Sequence, residues 1–108
     1  MAQNFRRYTS NAVGTSPAAV YTANSYDAIV GISLSNILGT AITVSCYIND
    51  GSNNIYLVKD APIPTGGSLQ VLDGGAKFVV QNLDVLSVVS SDASSCDVYV
   101  SAVDAIST

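Results

Sequence analysis

Apolar and polar residues alternate along most of this chain. In AITVSCYI, residues 41–48, Ile42, Val44, Cys46 and Ile48 take one phase while Thr43, Ser45 and Tyr47 take the other. A β-strand points successive side chains to opposite faces, so this pattern makes one buried and one solvated surface. DAIVGISLS places Val30, Ile32 and Leu34 on one phase, and SCDVYVSAV groups Cys96 with Val98, Val100 and Ala102. IYLVKD, SLQVL, AKFVVQ and DVLSVVSS are further short runs of strand-forming residues. No helical apolar stripe of useful length competes with them. The expected core is Val30, Ile32, Leu34, Ile42, Val44, Cys46, Val98 and Val100.

The punctuation between these runs is that of sheet corners. NDGSNN, residues 49–54, is turn chemistry, since Asn, Asp and Gly tolerate positive φ. Pro62 and Pro64 cannot donate ladder hydrogen bonds and belong to an edge or a connection. Gly66 and Gly67 precede SLQVL, and Asp73 to Gly75 are expected to make a tight turn before AKFVVQ. A phosphate-cradling loop would set its glycines between a strand and a helix, followed by Lys and Ser or Thr. Neither PTGGSLQV nor LDGGAKFV leads into a helix. Short strands with turn signals every 8 to 12 residues or so predict an all-β fold: a single antiparallel β-sandwich, jelly-roll or immunoglobulin-like, spanning 1–108. Residues 1–12 are expected to be an N-terminal arm or an edge strand.

Composition narrows the function. The 108 residues are 48% apolar and 11% charged with a net charge of −4, and contain no His, Glu or Trp. High apolar content and low charge oppose disorder. The basic residues are Arg6, Arg7, Lys59 and Lys77, too few and too scattered to neutralise a nucleic-acid backbone. No apolar run approaches the ~20 residues that span a bilayer. MAQNFRRYTS has no apolar region behind its arginines, so the expectation is a chain made in the cytosol. Without histidine there is no Ser-His-Asp triad and no Cys-His pair. Asp50 and its neighbours lack the spaced carboxylates of a calcium loop. No catalytic, metal or cofactor residues are assigned, and the chain is expected not to be an enzyme.

Cys46 and Cys96 share the phase of the aliphatic side chains, where a reduced cysteine acts as a small hydrophobe. The expectation is two free thiols, on the reducing character of the cytosol. Tyr47 and Tyr99 fall on the polar phase and are expected to face away from the core, as interface contacts or a cross-strand pair. At the N-terminus Phe5, Arg6, Arg7 and Tyr8 bring together the aromatic and arginine side chains that interface hot spots favour. These six residues form the candidate interface.

The runs GTSPAAVYTANSYDAIVGISLSN, ITVSCYINDGSNNIYLVKDAPIPTGGSLQVLDGGAKFVVQNLDVLSVVSS and DVYVSAVD cover nearly the whole chain. They resemble small virion structural proteins of tailed phages, particularly T4-like phages of marine cyanobacteria. The resemblance implies a compact sandwich that builds or decorates a particle as capsid decoration or a neck or tail accessory, made in the bacterial host cytoplasm. It implies contacts with itself, a trimer first, and with other virion proteins, without nucleic acid, membrane or cofactor. The alternative function is a carbohydrate-binding module on the virion surface or tail.

Overall fold

The computed structural model describes the backbone of residues 4–104 and the side chains of residues 5–71 and 77–104. Eight strands, and no helix among the described residues, follow in the order β1 (Asn4–Val13), β2 (Ala18–Thr22), β3 (Asp27–Asn36), β4 (Ile42–Asn49), β5 (Asn54–Ile63), β6 (Ser68–Val80), β7 (Val85–Ser90) and β8 (Cys96–Asp104). They form two four-stranded sheets, β1-β8-β3-β6 (sheet I) and β2-β7-β4-β5 (sheet II). Every pairing is antiparallel. The two sheets pack face to face as a β-sandwich, as the alternation predicts.

The core lies between the sheets. Ile32, Leu34, Ile42, Val44, Cys46, Val98 and Val100 are all buried in it, joined by Ile29, Ile63, Val80, Leu86 and Val88. Each large aliphatic side chain removed from water in this way stabilises the fold by about 1.5–3 kcal/mol. Val30 is the exception, only half-buried, with Ile29 taking the core position. The reason is a bulge. Ile29 pairs with Ala102 and Gly31 with Ser101, so Val30 is an extra residue that shifts the alternation by one.

One further expectation changes, and one strand is added. The tight turn expected at Asp73 to Gly75 is absent, because β6 runs unbroken from Ser68 to Val80. Ile29 pairs with Phe78 and Gly31 with Asp73, so five steps of β6 oppose two of β3, and the glycines lie in that widened stretch. SLQVL and AKFVVQ are therefore one strand. The run AAVYT after Pro17, with too few residues to show alternation, forms β2 and buries Tyr21.

The corners follow from local chemistry. Gly67 N–H donates to the Pro64 carbonyl at 2.9 Å, closing a four-residue turn whose third residue, Gly66, has φ +73°. A side chain there would be strained, which is the reason for glycine. At residues 49–54, Asp50 Oδ1 accepts from the amides of Ser52 (3.0 Å) and Asn53 (2.8 Å). Those amides, Asn53 first, hold the Asp50 carboxyl below its usual pKa. Pro62 lies in β5, an edge strand.

Cys46 and Cys96 are buried free thiols, one from each sheet. Burial pushes the Cys46 thiol up to about 12 and the Cys96 thiol to about 11.

Candidate protein-interaction face

Register explains which side chains β1 presents. Phe5 pairs with Val103, Arg7 with Ser101 and Thr9 with Tyr99 along β8, the neighbour of β1 at the edge of sheet I. Tyr8, on the opposite phase, turns inward and lies half-buried with its ring centroid 4.2 Å from that of Tyr21. Phe5, Arg7 and Thr9 therefore point out from sheet I. The N-terminal segment is an edge strand in the described residues, paired from Asn4 onward.

Tyr8 and Arg6 belong to a polar network at this end of the sandwich. Arg6 Nε lies 2.7 Å from Asp104 Oδ2, and Tyr8 Oη donates to Asp104 Oδ1 at 3.2 Å. Tyr21 Oη donates to the fully buried Asp27, which also accepts from Ser25 Oγ at 3.2 Å. Burial, then the neighbouring carboxylate, raises the pKa of Tyr8; burial and the hydrogen bond to Asp27 raise that of Tyr21. A buried carboxylate without donors is costly, so the two phenols hold the carboxylates and fasten β1, β2, β3 and β8 together. The network binds strands to each other.

The outer face of sheet I has two zones. Phe5, Val103, Ala28 and Val79 lie in one register row that crosses all four strands. Phe5 is 83% exposed and Val79 65%. At the same end, Leu83 is 70% exposed and held at φ +74° in the turn between β6 and β7, its amide bound to the Ala23 carbonyl at 2.8 Å. A leucine in the left-handed region is sterically disfavoured, and one left in water gains nothing from folding. Farther along the sheet, beyond Arg7 and Ser101, the rows are polar: Thr9, Tyr99, Ser33 and Gln70, then Asp97, Ser35 and Ser68, with Asn11 hydrogen-bonded to Asp97. Tyr99, 49% exposed, stands between two shallow hollows. One, of 360 Å³, is lined by Phe5, Arg6, Arg7, Tyr99, Ser101 and Ala102.

Sheet II treats its outward aromatic differently. Tyr47 sits on the outer phase as expected, yet it is only 9% exposed. Tyr56 of the neighbouring β5 packs against it, centroids 5.1 Å apart, and Lys59 Nζ lies 4.8 Å from the Tyr56 ring centroid. Tyr47 and Tyr99 are thus on different sheets. Of the six candidates, the structure brings Phe5, Arg6, Arg7 and Tyr99 around one hollow, turns Tyr8 inward and places Tyr47 under Tyr56.

Ala28, Val79 and Val103 were not singled out by alternation. Their signal was in the sequence nonetheless: AIV, FVV and AV each set an apolar residue where the alternating phase calls for a polar one. Three such breaks meet in a single row of one sheet. Among the described residues, no group of three or more Cys or Asp side chains is arranged to hold a metal ion, and no helix is long and apolar enough to cross a membrane.

No protein-family model matches the chain, and no curated protein sequence does. Solved structures that share its fold include two from repetitive assemblies. One comes from the acidic stable capsid of Helicobacter pylori bacteriophage KHP30, with a TM-score of 0.60 and 10% identity over 95% of this chain and 87% of that one. The other comes from Bacillus endospore appendages, described as disulfide-linked pili, with a TM-score of 0.53 and 20% identity over 94% of this chain and 84% of that one. At these identities the likeness is one of fold. Neither is a cyanophage protein.

Proposed function

We propose that this chain is a non-enzymatic structural subunit of a phage virion that works by associating with copies of itself and with neighbouring particle proteins. The observation that carries the reading is the apolar row Phe5–Val103–Ala28–Val79 of sheet I, whose inner members Val103 and Ala28 are buried while Phe5 and Val79 at its two ends stand open to water. Three large apolar side chains left in water at one end of the sandwich, Phe5, Val79 and Leu83, mark a contact that is made elsewhere. Among the described residues Arg7 makes no ion pair, while Asp50, Asp60 and Asp92 belong to other strands and turns of a chain whose net charge is −4. Opposite charge steers sheet I of one copy to an acidic surface of the next. Such a contact is heterologous: it closes into a ring, a trimer being the first expectation, or continues as a shell or filament.

The two solved structures named above come from repetitive assemblies, a capsid and a pilus, which supports self-assembly here. The strand order β1-β8-β3-β6 over β2-β7-β4-β5 supports the jelly-roll alternative over the immunoglobulin-like one. A place among T4-like cyanophages rests on the sequence resemblance alone, as does the choice between capsid decoration and a neck or tail position. Mass spectrometry of purified particles of the phage that encodes the chain tests the reading. Multiple copies per particle are expected; a protein found in the infected cell and missing from the particle overturns it.

A further inference from the structure

The polar zone of sheet I contains a hollow of 320 Å³, the second of the two that Tyr99 divides. Its existence follows from the sequence of β3, whose outward positions Ser33 and Ser35 carry small side chains at the floor of the hollow. Strands favour β-branched and aromatic residues, so this run gives up packing and propensity to keep a trough open. Tyr99 and Asp97 of the central β8 stand within it, with Ser33 and Ser35 of β3 on one side and Thr9 and Asn11 of β1 on the other. On the β3 side Gln70 Nε2 donates to Ser33 Oγ at 3.0 Å, which leaves the Ser33 hydroxyl proton to donate elsewhere.

Asp97 is held in place. Its Oδ1 accepts from Asn11 Nδ2 at 3.1 Å and from the Ala12 amide at 2.9 Å. Ala12 has φ +54° and lies where the register of β1 shifts between Ser10 and Val13. A bulge with a non-glycine residue in the left-handed region is strain retained beside the trough, and it aims Asn11 at Asp97. The side chains stand on paired strands, which hold such groups more firmly than loops do.

We propose that this trough binds a neutral hexopyranose segment of a glycan, with Tyr99 as the ring platform. A pyranose offers an apolar C–H face and a rim of hydroxyls. The half-exposed Tyr99 ring suits the face. Asp97, Asn11, Thr9, Ser33 and Ser35 give the rim one strong acceptor and several groups that both donate and accept. No Lys or Arg lines the trough, and Asp97 repels an anionic sugar. The proposal does not rest on the assembly reading, which uses the apolar row at the other end of the sheet.

The test is a series of 1H–15N spectra of the whole chain with maltohexaose, cellohexaose and chitohexaose, each added to about 10 mM, above the ~1 mM Kd that a shallow site reaches at ~4 kcal/mol. Saturable shifts confined to Thr9, Asn11, Ser33, Ser35, Asp97 and Tyr99 are expected with at least one sugar. Tyr99→Ala should weaken that binding about tenfold, and Ser33→Val, which fills the floor without disturbing the strand, should abolish it with an unchanged melting temperature. The same shifts are expected in Phe5→Ser/Val79→Ser, so a failure of self-association and a failure of sugar binding are told apart. Silence with all three sugars, shifts elsewhere on the molecule, or an unweakened Tyr99→Ala overturns the proposal. So does an extended peptide that shifts these residues when none of the sugars does, because the trough then belongs to a protein segment.

Discussion

The two outer faces of the sandwich differ in what they do with exposed apolar and aromatic groups. On sheet II, Tyr47 is covered by Tyr56 of the same chain, and Lys59 lies over Tyr56. On sheet I, Phe5, Val79 and Tyr99 remain open to solvent. Both faces are built by the same alternation, so the difference comes from the neighbouring strands. Sheet II has a bulky residue directly opposite its aromatic in register, Tyr47 against Tyr56. Sheet I sets Ser33 opposite Tyr99 and Ala28 opposite Val79. One face covers its central aromatic within the chain, at the cost of leaving Tyr56 43% exposed; the other leaves Phe5, Val79 and Tyr99 uncovered.

The most severe substitution ignores both faces and strikes between them. Val44→Asp places a charge without a partner at a position 1% exposed, at a cost of several kcal/mol, on the order of the whole stability of a small domain. Circular dichroism should show the chain unfolded at 25 °C or so. A folded Val44→Asp protein would mean that the inner faces are not packed as described.

Alkaline titration probes the same interior more gently. Both thiols have folded pKa values raised by burial, to about 12 for Cys46 and about 11 for Cys96, so the folded chain keeps protons that the unfolded chain releases. Their stabilisation is whole below about pH 8.5 and is lost as pH rises through 11 and 12, at up to ~1.4 kcal/mol per pH unit for each thiol. Urea midpoints measured at rising pH should fall over this window. In Cys46→Val/Cys96→Val the fall should shrink to the part contributed by Tyr8 and Tyr21 above about pH 10. An unchanged slope would remove the thiols from the account.

Smaller effects separate the aromatics that bind strands together from those that do not. Tyr21→Phe deprives buried Asp27 of a donor and should cost about 1–3 kcal/mol in denaturant unfolding. Tyr8→Phe should cost less, because Asp104 keeps Arg6. Tyr56→Ala uncovers Tyr47 and should cost about 0.5–1.5 kcal/mol beyond the buried area lost, without altering self-association. If Tyr56→Ala changed association as much as a sheet I substitution, the contrast between the faces would fail.

The sandwich was legible because seven of the eight expected core residues obey strict alternation. Val30 did not, because a bulge moves the phase by one, and nothing in DAIVG marks which residue is the extra one. The turn expected at Gly74 and Gly75 misread a widened stretch of a long strand, where glycine serves as well as it does in a corner. For the candidate site, Tyr99 was readable as an aromatic on a polar phase, and Phe5 and Arg7 as aromatic and arginine side chains of the kind that interfaces favour. Tyr8 was not separable from them: adjacent residues of a strand face opposite ways, and only pairing with β8 tells which of them looks out. The apolar row was hidden for a different reason, since its members are far apart in the chain and meet only through register.

The least disruptive substitutions bear most directly on the central proposal, that the apolar end of sheet I's outer face is an assembly surface. Phe5→Ser and Val79→Ser remove exposed side chains and should change stability by no more than about 0.5 kcal/mol each. Light scattering of the purified chain and of this double variant, from micromolar to near-millimolar concentration, is the decisive comparison. The account predicts that the parent chain rises above its monomer mass of 11.1 kDa with concentration while the variant stays there with an unchanged melt. A parent that remains monomeric throughout, or a variant that associates as strongly as the parent, contradicts it.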